Sequence, residues 1–115
     1  MTLRKSDGTV IATRVEHAGT PVRQMIGLMF RRSIPQDYAL IFDMRWEQYI
    51  GIHMLFVFFP IDLVYLDSNR QIVDLRHLRA WTGIATSKKP ARYAIELPDG
   101  IIERGGLKVG DILDW

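Results

Sequence analysis

Apolar positions in this chain follow two rhythms, alternation and unbroken runs, and only briefly the spacing of a helix. Residues 9–17, TVIATRVEH, alternate after an Asp7-Gly8 turn and predict a half-exposed first strand. Thr20-Pro21 predicts a helix start, with Thr20 as N-cap and proline at the first helical position. Val22, Met25, Ile26 and Met29 then fall on one apolar face of a short helix that ends at Ser33-Ile34-Pro35. Gly27 would cost a helix interior roughly 1 kcal/mol relative to alanine, and a close backbone approach is one reason to keep it. YALIFDM, residues 38–44, reads as another strand.

The longest apolar stretch is IGIHMLFVFFPIDLVYLD, residues 50–67. A membrane-spanning helix needs roughly 20 apolar residues, and here His53, Pro60 and Asp62 interrupt the run. Its β-branched and aromatic residues predict two strands instead, 49–58 and 61–67, bent at Phe59-Pro60. The unbroken apolarity of the first implies burial on both faces. A turn at Asp67-Ser68-Asn69-Arg70 leads into a strand, QIVDLRHL. The chain is loop-like after residue 80, and ARYAIELP returns to strand. Pro98-Asp99-Gly100 turns into a short helix, IIERGG, and LKVGDILDW closes with a turn and a terminal strand. Six or seven strands with two short helices, and no regular βαβ alternation, predict a β-rich α+β fold. Strands this apolar are best protected in a small barrel-like antiparallel or mixed sheet.

Composition changes this picture little. With 115 residues the chain is one domain, residues 1–115, and 48% hydrophobic against 24% charged residues excludes a disordered class. The absence of cysteine excludes a disulfide framework, a thiolate metal site and a cysteine nucleophile. No apolar segment follows the early basic residues of MTLRKSDGTV, so no secretory signal is expected and a cytoplasmic location is.

Charge is more informative in its placement than in its sum of +2. Residues 69–92 carry six cations (Arg70, Arg76, Arg79, Lys88, Lys89, Arg92) against Asp74, whereas residues 96–115 carry five acids against two bases. A basic face and an acidic end are expected.

The residues that could carry chemistry are few. GLKVGD lacks the strand–loop–helix frame of a phosphate site and reads as a turn. His17, His53 and His77 are in no ligand spacing, so neither a metal nor a cofactor is predicted. His53, inside the apolar run, is either a buried imidazole hydrogen-bonded to a neighbour such as Asp62, or a pocket-facing group. Asp62 either caps backbone amides freed by the Pro60 bend or transfers protons beside an imidazole. RHLRAWT and SKKPARY place cations beside Trp81, a pattern that suits phosphate backbones and base stacking as well as a solvated strand face. Trp46 and Trp81 could equally plug a barrel, and Met25, Met29 and Met54 read as core filler.

In order along the chain, GLMFRR (27–32), HMLFVFFPIDLVYLD (53–67), Trp81, ARYAIELPDG (91–100) and GLKVGDIL (106–113) resemble the family known as domain of unknown function 192. The resemblance runs from about residue 9 to 114 and implies a small β-rich, barrel-like domain with no established activity. Many members carry Trp-Met-Lys-Asn-Thr where this chain has His53, Met54, Leu55, Phe56 and Val57. Met54, Pro60, Asp62 and Asp67 match the family pattern, and the polar trio does not. If the trio lines a polar site in relatives, the site here is drier or absent.

Three functional classes follow. The first is a non-catalytic binding module using His53, Asp62, Arg76, Arg79, Trp81 and Arg92, with an anionic small molecule, a nucleic acid or a protein as partner. The second is a small hydrolase- or isomerase-type enzyme using His53 and Asp62 as an acid–base pair. The third is an interaction protein that self-associates through a strand edge. No membrane partner is expected, and the chain should be a monomer or homodimer.

Overall fold

A computed structural model describes residues 1–115. It contains ten strands and two short helices. In chain order these are β1 (Leu3–Lys5), β2 (Val10–Ala12), β3 (Arg14–Ala18), α1 (Pro21–Ile26), β4 (Tyr38–Gln48) and β5 (Gly51–His53). There follow β6 (Ile61–Leu66), β7 (Ile72–Leu78), β8 (Ile84–Thr86), β9 (Ala91–Pro98), α2 (Ile101–Arg104) and β10 (Leu113–Asp114). The β-rich α+β class expected from the sequence is correct.

The centre is a mixed five-stranded sheet in the order β3-β4-β9-β6-β7. Only β3 and β4 run parallel, joined through α1, so the chain holds one βαβ unit. Two small sheets, β10-β1-β2 and β5-β8, accompany it. The sheets do not close, so the barrel expectation is replaced by a central sheet with both faces covered.

Alternation along the central strands divides the interior in two. Leu40, Phe42, Leu63, Tyr65 and Ala94 pack with Leu28, Met54, Val57 and Ala85 from α1's end and the β5–β8 region. Ile41, Val64, Leu66, Ile95 and Leu97 face the other way, onto Leu3, Ile11, Ile101 and Leu113 from the small sheet and α2. All six residues of β6 are therefore buried, which explains why five of them are apolar or aromatic and Asp62 alone is charged.

Burial on both faces thus belongs to 61–66 and not to 49–58. The latter is a strand only over Gly51–His53; a turn follows, with Met54 and Val57 buried and Leu55, Phe56 and Phe58 exposed. Phe56 has φ 62°, outside the extended region of regular strands. Residues 9–17 likewise divide into β2 and β3, and β8 lies in the segment expected to be loop.

α1 begins as expected, with Thr20 Oγ1 accepting from Arg23 N at 3.1 Å and Pro21 in the first turn. Its apolar face is the surprise, because Val22, Met25 and Ile26 are exposed. Trp46 and Trp81 are exposed too, so neither plugs the interior, and of the three core-filler methionines only Met54 is fully buried. Gly27 is the C-cap of α1 rather than an interior position, with φ 51°.

Candidate functional site

The strongest chemical feature lies where the sequence drew no attention. Glu96 sits in the middle of β9, hydrogen-bonded between β4 and β6, with a partner residue on each side, Leu40 and Leu63. It is buried, and its Oε1 has no hydrogen-bond partner. Desolvation pushes its pKa up to about 7, while Arg23 and Arg31 pull the other way. A buried carboxylate oxygen with nothing to accept from is costly unless something supplies a donor.

Glu96 lines a cavity of about 190 Å³ together with Met25, Met29, Phe42, Val57 and His53. An engineered apolar cavity of about 150 Å³ accepts benzene, so the space suits a compact ligand rather than a drug-sized one. Gly27 lines it on a left-handed backbone. A Cβ there would stand 3.4 Å from Glu96 Oε1 and 3.5 Å from Phe42 Cζ, on a backbone with positive φ. The glycine is thus required by its positive φ at the helix cap and not by a close backbone approach.

Arg23 and Arg31 are held in place around this site. The Arg23 guanidinium donates to Gly27 O at 2.8 Å and meets Glu16 at 3.4 Å; Arg31 reaches Glu16 at 3.3 Å and Tyr38 Oη at 3.1 Å. The Glu16 carboxyl is held below its ordinary range, first by the Tyr38 hydroxyl and then by Arg31 and Arg23. Burial and Glu16 together push the Tyr38 hydroxyl up to about 12.

Of the residues singled out from sequence, His53 reaches this cavity. It is exposed, and its Nδ1 accepts from Leu55 N at 3.2 Å, so a neutral ring carries its proton on Nε2. It is neither the buried imidazole expected nor a partner of Asp62. Asp62 shares the opposite face of β6 with Val64, because alternation separates it from Leu63. There Asp62 Oδ2 accepts from Gly100 N and Ile102 N at 3.1 and 2.9 Å, capping α2. Its Oδ1 lies 3.0 Å from Nδ1 of His77, its cross-strand neighbour. Capping was one of the expected roles, but the amides belong to α2 and not to the Pro60 bend.

The cations do not gather on one ligand. Arg76 is held by Asp74 at 3.1 Å and donates to Thr86 O, and Arg92 forms two hydrogen bonds to Asp43, at 2.9 and 3.1 Å. That pair lowers the Asp43 pKa and raises that of Arg92. Arg79 and Trp81 are exposed beside the 54–58 turn, where Trp81 N donates to Val57 O at 3.0 Å. Asp62, His77 and Asp99 bring ligand atoms within 4.8 Å of one another and are the residues that could approach a metal. Both oxygens of Asp62 are already engaged, so the cluster is explained as a helix cap with a cross-strand hydrogen bond to His77.

Comparison with known proteins agrees with the sequence resemblance. Residues 2–115 match the profile of DUF192, described as an uncharacterized ACR. A UPF0127 protein of Pyrococcus furiosus is 39% identical over 115 residues, covering 98% of this chain and 96% of that protein. A UPF0127 protein of Thermococcus sibiricus is 37% identical, covering 100% and 74%. Among solved structures, a Sinorhizobium meliloti protein described as a candidate transcription regulator superposes with a TM-score of 0.84 at 27% identity, covering 98% and 89%. A Novosphingobium aromaticivorans protein of unknown function gives 0.85 at 24% identity, covering 99% and 82%, a likeness of fold.

Proposed function

The chain belongs to the DUF192 family, and from that premise we propose that it is a non-catalytic binding module whose site is the Glu96 cavity. Its ligand is compact, with an apolar body against Met25, Met29, Phe42 and Val57 and one hydrogen-bond donor for Glu96. The observation that carries this reading is the buried, unpartnered Oε1 of Glu96, a residue that lines the cavity. Native proteins seldom leave such an atom without a partner, and a ligand donor is a partner the surrounding chain does not provide. The anionic-ligand reading at Arg76 and Arg92 has less support, because both guanidiniums are taken by Asp74 and Asp43.

A titration with benzyl alcohol and benzylamine, followed by methyl NMR, tests the proposal. Shifts should localise to Met25, Met29 and Val57, and Glu96→Leu should abolish them while leaving the rest of the spectrum in place. If those methyls do not move for any small donor-bearing probe, the cavity is not a binding site. A second reading, a small enzyme, is favoured only by His53 lining the same cavity as Glu96. It requires His53→Phe to leave probe affinity and stability intact while removing a turnover measured on the bound compound.

A further inference from the structure

Three loops converge on an exposed aromatic cluster that the cavity does not use. Phe30 stacks on Phe56 with centroids 5.1 Å apart, Phe56 meets Trp81 edge-on at 5.3 Å, and Phe58 lies 5.5 Å from Trp81. All four are exposed, by 38–64%. Leu55 in the 54–58 turn and Ile84 at the start of β8 are exposed by 50% and 76%, and Val22, Met25 and Ile26 on α1 are exposed as well.

The backbone is arranged to hold these rings outward. Phe30, Phe56 and Trp81 have φ 68°, 62° and 65°, a conformation that bulky side chains rarely adopt. Backbone hydrogen bonds lace the loops together, Phe30 N to Phe56 O at 2.9 Å and Trp81 N to Val57 O at 3.0 Å. Unfavourable backbone conformations of this kind persist where surrounding structure enforces them, and they cluster at functional surfaces.

Charge identifies what the patch meets. Segments 22–32, 53–60 and 79–84 contain four arginines (Arg23, Arg31, Arg32, Arg79) and no aspartate or glutamate. Glu16 takes Arg23 and Arg31, while Arg32 and Arg79 are exposed and stand in no ion pair. An apolar apex flanked by free cations is complementary to a surface that is anionic outside and hydrocarbon beneath. Nucleic acid fits less well, because Phe30 and Phe56 spend a face on each other and the neighbouring aliphatic side chains offer bases nothing to stack on.

We propose that this aromatic apex docks the domain on an anionic lipid bilayer, with the rings at the interface and Arg32 and Arg79 on the headgroups. Aromatic side chains favour that depth, and each arginine near an anionic surface should strengthen binding about fivefold. The docking is peripheral, since no helix is long and apolar enough to cross a membrane.

Flotation of the full chain with phosphatidylcholine vesicles containing about 30 mol% phosphatidylserine, against pure phosphatidylcholine, tests it. The chain should float with the anionic vesicles. The pair Phe56→Asn with Trp81→Asn should cut partitioning at least about tenfold, and asparagine tolerates the left-handed backbone there, so the fold is kept. Arg32→Glu with Arg79→Glu should remove the preference for the anionic vesicles. No flotation, or flotation unchanged in the asparagine pair, overturns the proposal. So does a doubled mass at the same concentration that the asparagine pair abolishes, which assigns the patch to a second copy. Tight binding of an oligothymidine that the asparagine pair abolishes, without vesicle binding, assigns it to nucleic acid.

Discussion

Glu96 is the residue whose protonation matters most to the folded state. Its folded pKa of about 7 lies above the ordinary carboxyl value, so the folded protein holds a proton that the unfolded chain has released between pH 4.5 and 7. Stability therefore falls as pH rises through that window and levels off above it, by on the order of 3 kcal/mol in all. Urea unfolding of the wild type at pH 5 and pH 8 should show this drop, and Glu96→Gln should remove most of it. Gly27→Ala, strained by its positive φ and adding a methyl in contact with Glu96 Oε1, should cost about 1–3 kcal/mol in the same assay and weaken probe binding. Tyr65 offers a control on the same face of the central sheet. Its buried hydroxyl donates to Ile50 O at 3.0 Å, and Tyr65→Phe should cost about 1–2 kcal/mol without touching the cavity.

At the scale of elements, much of the chain was legible in its residue pattern, and the failures have physical causes. QIVDLRHL, ARYAIELP and IIERGG became two strands and a second helix near their expected bounds, and Thr20-Pro21 began a capped helix that stops at Ile26, short of the expected end at Ser33. The 49–58 stretch failed because apolar content cannot distinguish a two-face-buried strand from a turn that exposes half its rings. Glu96 was missed because an acid in a strand is ordinarily read as its solvent side. The pattern itself misleads: Tyr93, Ile95 and Leu97 fill one face of β9, while Arg92 and Glu96 alternate onto the other and read as its polar side. His53 and Asp62 looked paired because they lie near one another in sequence, whereas strand alternation sends Asp62 to α2. α2 starts at Gly100 with no side-chain cap of its own and borrows Asp62 from β6. Asp62→Ala should thus cost about 2–3 kcal/mol, and amide exchange at Gly100 and Ile102 should accelerate more than in the sheet.

For the whole molecule, the open central sheet raises the question of its edges. β3 is one edge, and it carries Arg14 and Glu16, held by Asp37 and by Arg23 and Arg31. Charges fixed on an edge strand oppose pairing with a second copy. Sedimentation equilibrium in low-salt buffer is expected to give a monomer mass. A dimer that Glu16→Thr strengthens would restore the self-association reading.

The two walls around Glu96 differ in how firmly they are tied down. β9 is the middle strand of the central sheet, bonded on both sides, while the wall carrying Met25 and Ile26 is a six-residue helix with no buried side chain. A helix that short has little stability of its own. Whatever binds in the cavity should then damp the fraying of that helix. Occupancy would correspondingly show as slowed amide exchange in residues 21–26, at a distance from the strand that makes the bond.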